Sequence, residues 1–92
     1  MEREEVYNHI DSEREYQDWR WDNGDRTDRV PDEEKSPAEW LNYIEYCLNE
    51  AKKANYFLNK EETMNNIRKI AGLAVRAMEI HGCPQRQIPV DR

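Results

Sequence analysis

Apolar residues are in short supply. Hydrophobic side chains make up 37% of the 92 residues, charged side chains another 37%, and mean hydropathy is −1.21. A lone chain this small, with this little apolar surface, builds a thin core and is marginal alone. The sequence therefore predicts self-association to complete the core. Glycine occurs 3 times, and no glycine-rich phosphate loop or nucleophile elbow is present. The 2 cysteines, Cys47 and Cys83, sit at no paired Cys/His spacing that would suggest zinc. His9 and His81 likewise lack a neighbour at ligand or triad spacing, and His81 fits the negative end of a helix dipole. No apolar run approaches membrane-spanning length, and none at the N-terminus suggests export. These features predict a reducing cytoplasm and no membrane partner.

What is abundant is negative charge, unevenly placed. Residues 1–35 hold thirteen acids and six bases, net −7; residues 36–92 hold seven acids and eight bases, net +1. Phosphate neutralisation by the acidic third is disfavoured, so nucleic acid is an unlikely partner. Such a segment reads first as a solvated helix and loop. It can also occupy a basic groove of a protein partner.

The periodicity predicts an all-α chain with helices over about 2–22, 36–58 and 59–82. Residues 2–22 contain no Gly or Pro and carry sparse apolar positions: Val6, Tyr7, Ile10, Tyr16, Trp19 and Trp21. That helix is expected to dock lightly or bend. Asn23-Gly24-Asp25 is a stop by turn chemistry, and residues 23–35 read as a charged loop. Ser36-Pro37-Ala38-Glu39 is a helix start with a capping box. Trp40, Ile44, Cys47, Ala51, Ala54 and Leu58 follow at three- and four-residue steps, with Leu41 and Leu48 widening the stripe. Asn59 and Glu62 repeat the start signal. Met64, Ile67, Ile70, Ala71, Ala74, Ala77 and Met78 form the next stripe, and small Ala71-Gly72, Ala74 and Ala77 permit close helix approach. Gly82 and Pro84 end it. The short connection makes the last two helices an antiparallel hairpin, and two hairpins would make a four-helix bundle. The organisation is one domain in three parts: an acidic helix and loop (1–35), the hairpin (36–82) and a tail (83–92) that Ile88 and Val90 could dock on a neighbour.

The hairpin, with Tyr16-Gln17-Asp18-Trp19-Arg20-Trp21 upstream, resembles the small MazG-like nucleotide pyrophosphohydrolases often met in phage genomes. The resemblance covers about residues 14–82. It places Trp40-Leu41-Asn42-Tyr43-Ile44 at the family's tryptophan-led helix start and Tyr46-Cys47-Leu48-Asn49-Glu50 at its EExxE cluster. It places Asn66-Ile67-Arg68-Lys69 at the ExxD pair before an alanine-rich stretch. The family's metal-binding acids are mostly absent: Tyr46 and Cys47 stand for two, Asn66 and Lys69 for the second pair, and Glu50 alone is kept. Mg²⁺ requires near-octahedral oxygen ligands, and pyrophosphate cleavage needs the metal to activate water. A lysine at that place repels the cation and attracts phosphate directly.

The resemblance and these replacements imply a non-catalytic, nucleotide-binding oligomer of phage type, sequestering a host nucleotide signal in the host cytoplasm, with no cofactor. Its ligand-binding candidates are Tyr16, Trp19, Arg20 and Trp21, which can stack a base and pair a phosphate, with Tyr46, Asn49, Glu50, Lys53, Asn66 and Lys69. Two other readings remain. A Mg²⁺-dependent nucleoside triphosphate pyrophosphohydrolase would recruit acids such as Glu45, Glu50, Glu61 and Glu62, with Glu50 the one candidate metal ligand among the aligned positions. An acidic inhibitor of a host defence protein would use Glu4, Glu5, Asp11, Glu13, Glu15, Asp18 and Asp22.

Overall fold

Helix-start chemistry sets the architecture. In the computed structural model, which describes residues 1–23 and 30–89, α1 spans Arg3–Asn23, α2 Pro37–Tyr56 and α3 Lys60–His81. A 3-10 turn, Asp32–Glu34, precedes α2. No strand occurs among the described residues, so the chain is all-α as the periodicity predicts. Ser36 caps α2 with both halves of the capping box made, and Pro37 opens the first turn. Asn59 caps α3 by accepting from the Glu62 backbone N–H. The reciprocal half expected there is replaced, because the Glu62 carboxylate accepts from Asn65 and Asn66 instead. Gly82, at φ 76°, ends α3.

α2 stops at Tyr56 rather than Leu58. Phe57 and Leu58 form the turn into α3, with Leu58 at φ 59° and exposed instead of in the α2 stripe. The connection is short enough that α2 and α3 pack antiparallel along their lengths, while α1 lies against α3. Trp40, Ala51 and Leu73 are the fully buried apolar residues among those described, which is the thin core that the composition predicts. The tail is exposed through Pro89, and Ile88, 84% exposed, is not packed against the described residues. Gly24, Asp25 and Val90, given roles as turn and tail, lie outside the described residues.

α1 is one continuous helix that docks by polar contacts. Glu13, Arg14 and Gln17 are buried, while Tyr7, Tyr16 and Trp19 are exposed. Close approach is possible because Gly72 faces them: a Cβ there would sit 2.8 Å from Glu13 Cγ and 2.9 Å from Gln17 Nε2. Towards its N-terminus α1 stands off α3, leaving a groove of about 270 Å³ lined by Val6, Ile10, Met64 and Ile67 among others. Gly72→Ala is expected to lose about 1–2 kcal/mol despite alanine's better helix propensity, because the crowded partners are themselves buried and hydrogen-bonded. A urea melt followed by circular dichroism checks the sign.

Candidate functional site

Two polar centres flank α3. The first ties the segment before α2 to the helices. Lys35 is 1% exposed, with its ammonium donating to Asp32 Oδ1 at 2.8 Å. Three rings surround that ammonium: Trp21 at 5.0 Å from the ring centroid, Trp40 at 5.3 Å and Tyr43 at 5.4 Å. A cation among aromatic faces is held by their quadrupoles. Arg76 Nε donates to Asp32 Oδ2 at 3.2 Å, and Arg76 also pairs with Glu79 and Glu33. Burial pushes the Asp32 carboxyl up, but hydrogen bonds and charge from Lys35 and Arg76 outweigh it, so the group sits below its ordinary value. Burial works against the Arg76 cation too, and Asp32 and Glu79 reverse that. The His81 ring nitrogen lies 2.9 Å from the Lys35 carbonyl oxygen and donates to it in the tautomer protonated at Nε2, so His81 has a tertiary partner rather than a helix-end role alone.

This centre corrects the expectation of a charged loop over the described part of 23–35, residues 30–35. Asp32 and Lys35 within it are among the most buried residues of the protein. Trp21, named above as a ligand-binding candidate, is half-buried in this scaffold, 6.0 Å from Trp40 between ring centroids, and does not line the second cleft described next.

The second centre is a cleft of about 390 Å³ between α1 and α3, lined by Ser12, Glu13, Tyr16, Glu62, Asn65, Arg68 and Lys69. Its floor is a continuous hydrogen-bonded chain. Arg68 Nε donates to Glu13 Oε1 at 2.8 Å, and Gln17 Nε2 donates to Glu13 Oε2 at 2.9 Å and to the Lys69 carbonyl at 3.2 Å. Arg14 donates to Gln17 Oε1 at 2.9 Å and to Asp18 at 2.6 Å. Arg68 thus neutralises Glu13. The Lys69 ammonium is different: among the described residues no hydrogen bond or ion pair engages it. It is half-buried. Around it, helices converge electrostatically on the Cys47 thiol. Burial pushes that thiol up, Lys69 pulls it down, and Glu13 and Glu50 push it up again.

Of the ligand-binding candidates, the fold brings Tyr16 and Lys69 into one cleft, with Glu50 acting on the same thiol as Lys69. Trp19 and Arg20 are exposed, and Trp19 stacks at a tilt on Tyr16 at 5.9 Å, extending the rim. Tyr46, Asn49 and Lys53 face outward on α2 and line no part of this cleft. Asn66 is buried and spends its amide on the Glu62 carbonyl at 3.0 Å and the Glu62 carboxylate at 3.3 Å, so it is a helix brace. Glu13, Gln17 and Arg68 are cleft residues that the sequence reading does not single out. Their available signal was the i, i+4 spacing of Glu13 and Gln17 on an otherwise weakly apolar helix.

Among the described residues no group of three or more His, Cys, Asp or Glu side chains is placed to hold a metal ion. Glu13 is engaged by Arg68 and Gln17, and Glu62 by Asn65 and Asn66. No described helix is long and apolar enough to cross a membrane. Comparison with family models, with curated proteins and with solved structures gives no match for this chain.

Proposed function

We propose that this protein captures a small nucleotide without hydrolysing it, and does so as a homo-oligomer. The observation that carries the reading is the Lys69 ammonium, engaged by no described residue, in a cleft that also presents an aromatic ring, Tyr16. An ammonium is a compact donor for phosphate oxygens, and an exposed ring is a platform for a base. With Glu13 neutralised by Arg68 and the Glu62 carboxylate held by the Asn65 and Asn66 amides, Lys69 is the cation of the cleft that no described residue engages. The volume lies at the small end of ligand sites, matching a mononucleotide or a part of a larger signal. On the MazG-like resemblance, the ligand is a host nucleotide signal and the protein is a phage-type sponge for it.

The test is a melting series with mono-, di- and cyclic nucleotides in the absence of Mg²⁺, with chromatography of the ligand afterwards. Binding at a hundredfold excess over Kd adds roughly 2.7 kcal/mol by mass action, a Tm rise of about 11–22 °C for a domain of this size. The nucleotide should be recovered intact. Unchanged melting with every nucleotide sinks the proposal. Mg²⁺-dependent pyrophosphate release that disappears in Glu50→Ala would put a hydrolase in its place.

A further inference from the structure

We infer that the α1–α3 cleft selects a nucleotide whose phosphate is a diester with a single negative charge, and discriminates against phosphomonoesters and polyphosphates. The inference rests on the capture reading above and names the chemical class of its ligand.

The charges lining the cleft are few, and each can be followed. Glu13 and Arg68 form one pair, Nε to Oε1 at 2.8 Å, with the Glu13 side chain 5% exposed. Arg68 gives a second donor, Nη1, to Asn65 Oδ1 at 3.0 Å. Its charge is thus answered within the fold. The Glu62 carboxylate accepts from the Asn65 and Asn66 amides. Those amides are neutral, so Glu62 keeps its negative charge. The lining therefore carries two acids, Glu13 and Glu62, and two bases, Arg68 and Lys69. One phosphate charge meets the Lys69 ammonium. A second charge has no lining cation left to meet.

Placement decides what a second charge would face. Glu62 and Lys69 are seven residues apart on α3, so they share a face about 10 Å apart, with Asn65 between them. A phosphate chain growing from Lys69 along that face runs towards Glu62. On α1, Tyr16 is three residues from Glu13, on one flank. Gln17 Nε2 donates both to Glu13 Oε2 at 2.9 Å and to the Lys69 carbonyl at 3.2 Å. The Glu13 carboxylate is therefore one amide away from the Lys69 backbone, beneath any ligand that joins Tyr16 to Lys69. Glu50 adds a further negative charge, acting on the Cys47 thiol together with Lys69 and Glu13.

A diester keeps two unesterified oxygens for the ammonium and sheds the second charge. At the screening typical near a protein surface, each extra negative charge beside these carboxylates lowers affinity roughly tenfold.

The test is isothermal titration of the full chain at pH 8 and fixed ionic strength, without Mg²⁺. The probes are adenosine 5′-monophosphate, its methyl ester, the diphosphate and the triphosphate, repeated with the guanine, cytosine and uracil series. The methyl ester changes the charge and leaves base, sugar and phosphate in place. In whichever base series binds, it should bind about tenfold more tightly than the monophosphate, and the di- and triphosphates more weakly still. Glu62→Gln keeps an acceptor for the Asn66 amide and should narrow the gap between ester and monophosphate at least threefold. A monophosphate or polyphosphate that binds as tightly as the ester overturns the inference and leaves the capture reading standing. So does a gap unchanged in both Glu62→Gln and Glu50→Gln. Binding by no probe of any series removes the capture reading, and the inference with it.

Discussion

Lys35→Ala is expected to destabilise the protein by about 3–5 kcal/mol, the cost typical of removing one partner from a buried ion pair. The reason lies in what is left behind. Asp32, 4% exposed, loses the ammonium that donates to it at 2.8 Å, and Trp21, Trp40 and Tyr43 lose the charge they surround. Arg76 remains, at 3.2 Å, but its guanidinium is shared with Glu33 and Glu79. A domain of this kind holds about 5–15 kcal/mol in total, and the core here is thin, so the variant is expected to lose a large part of its stability and to unfold at much lower urea. Urea melts by circular dichroism measure this, with Lys53→Ala, an exposed change expected to stay within about 0.5 kcal/mol, as the comparison. A variant as stable as the parent would show that the buried lysine is ornamental.

The same centre fixes the direction of the pH dependence. The folded Asp32 carboxyl sits below its ordinary value because Lys35 and Arg76 overcome the opposing effect of burial. A depressed carboxyl contributes stability that is complete above its unfolded pKa and is lost as pH falls through the folded value. The acid limb of the stability curve should therefore shrink in Asp32→Asn, whose neutral side chain has no such linkage.

The hairpin was legible because its signals are local. Ser36, Pro37 and Glu39 lie within one turn, Asn59 needs only the Glu62 N–H, and Gly82 needs only its own φ. The docking of α1 was not legible, because it is not apolar: a buried Glu13–Gln17–Arg14 chain meets Gly72 and Arg68 more than fifty residues away. Composition marks such residues as solvent-facing. The small residue at 72 permits close approach, as its size predicts, but sequence alone does not say which helix approaches. Segment 30–35 was hidden for a related reason. Its charges look solvated until Arg76 and the rings of α1 and α2 converge on them. The aromatic cluster 16–21 accordingly divides: Trp21 is scaffold, Tyr16 faces the cleft, and Trp19 is rim.

That division separates binding from folding, and Lys69 carries the sharpest test. Lys69→Glu is expected to abolish the nucleotide-induced rise in Tm, with affinity lower by about a hundredfold or more, since a charge-assisted phosphate contact is lost and a repulsive one gained. The unliganded protein should stay folded, because the ammonium engages no described residue. Lys69→Arg should keep binding. Tyr16→Ala should lose about 1–3 kcal/mol of affinity, the worth of one base–ring stack, with little loss of stability, whereas Trp21→Ala should lose the fold. Glu50→Ala decides between the chemistries. Glu50 acts electrostatically on the same thiol as Lys69, so its carboxylate opposes a phosphate held at Lys69 and its removal leaves affinity unchanged or raises it; in a metal-dependent hydrolase the same removal abolishes function. Isothermal titration with and without Mg²⁺ reads the sign. Affinity lost in Glu50→Ala and retained in Lys69→Glu would mean that the cleft serves a cation, and the phosphate-capture reading would fall.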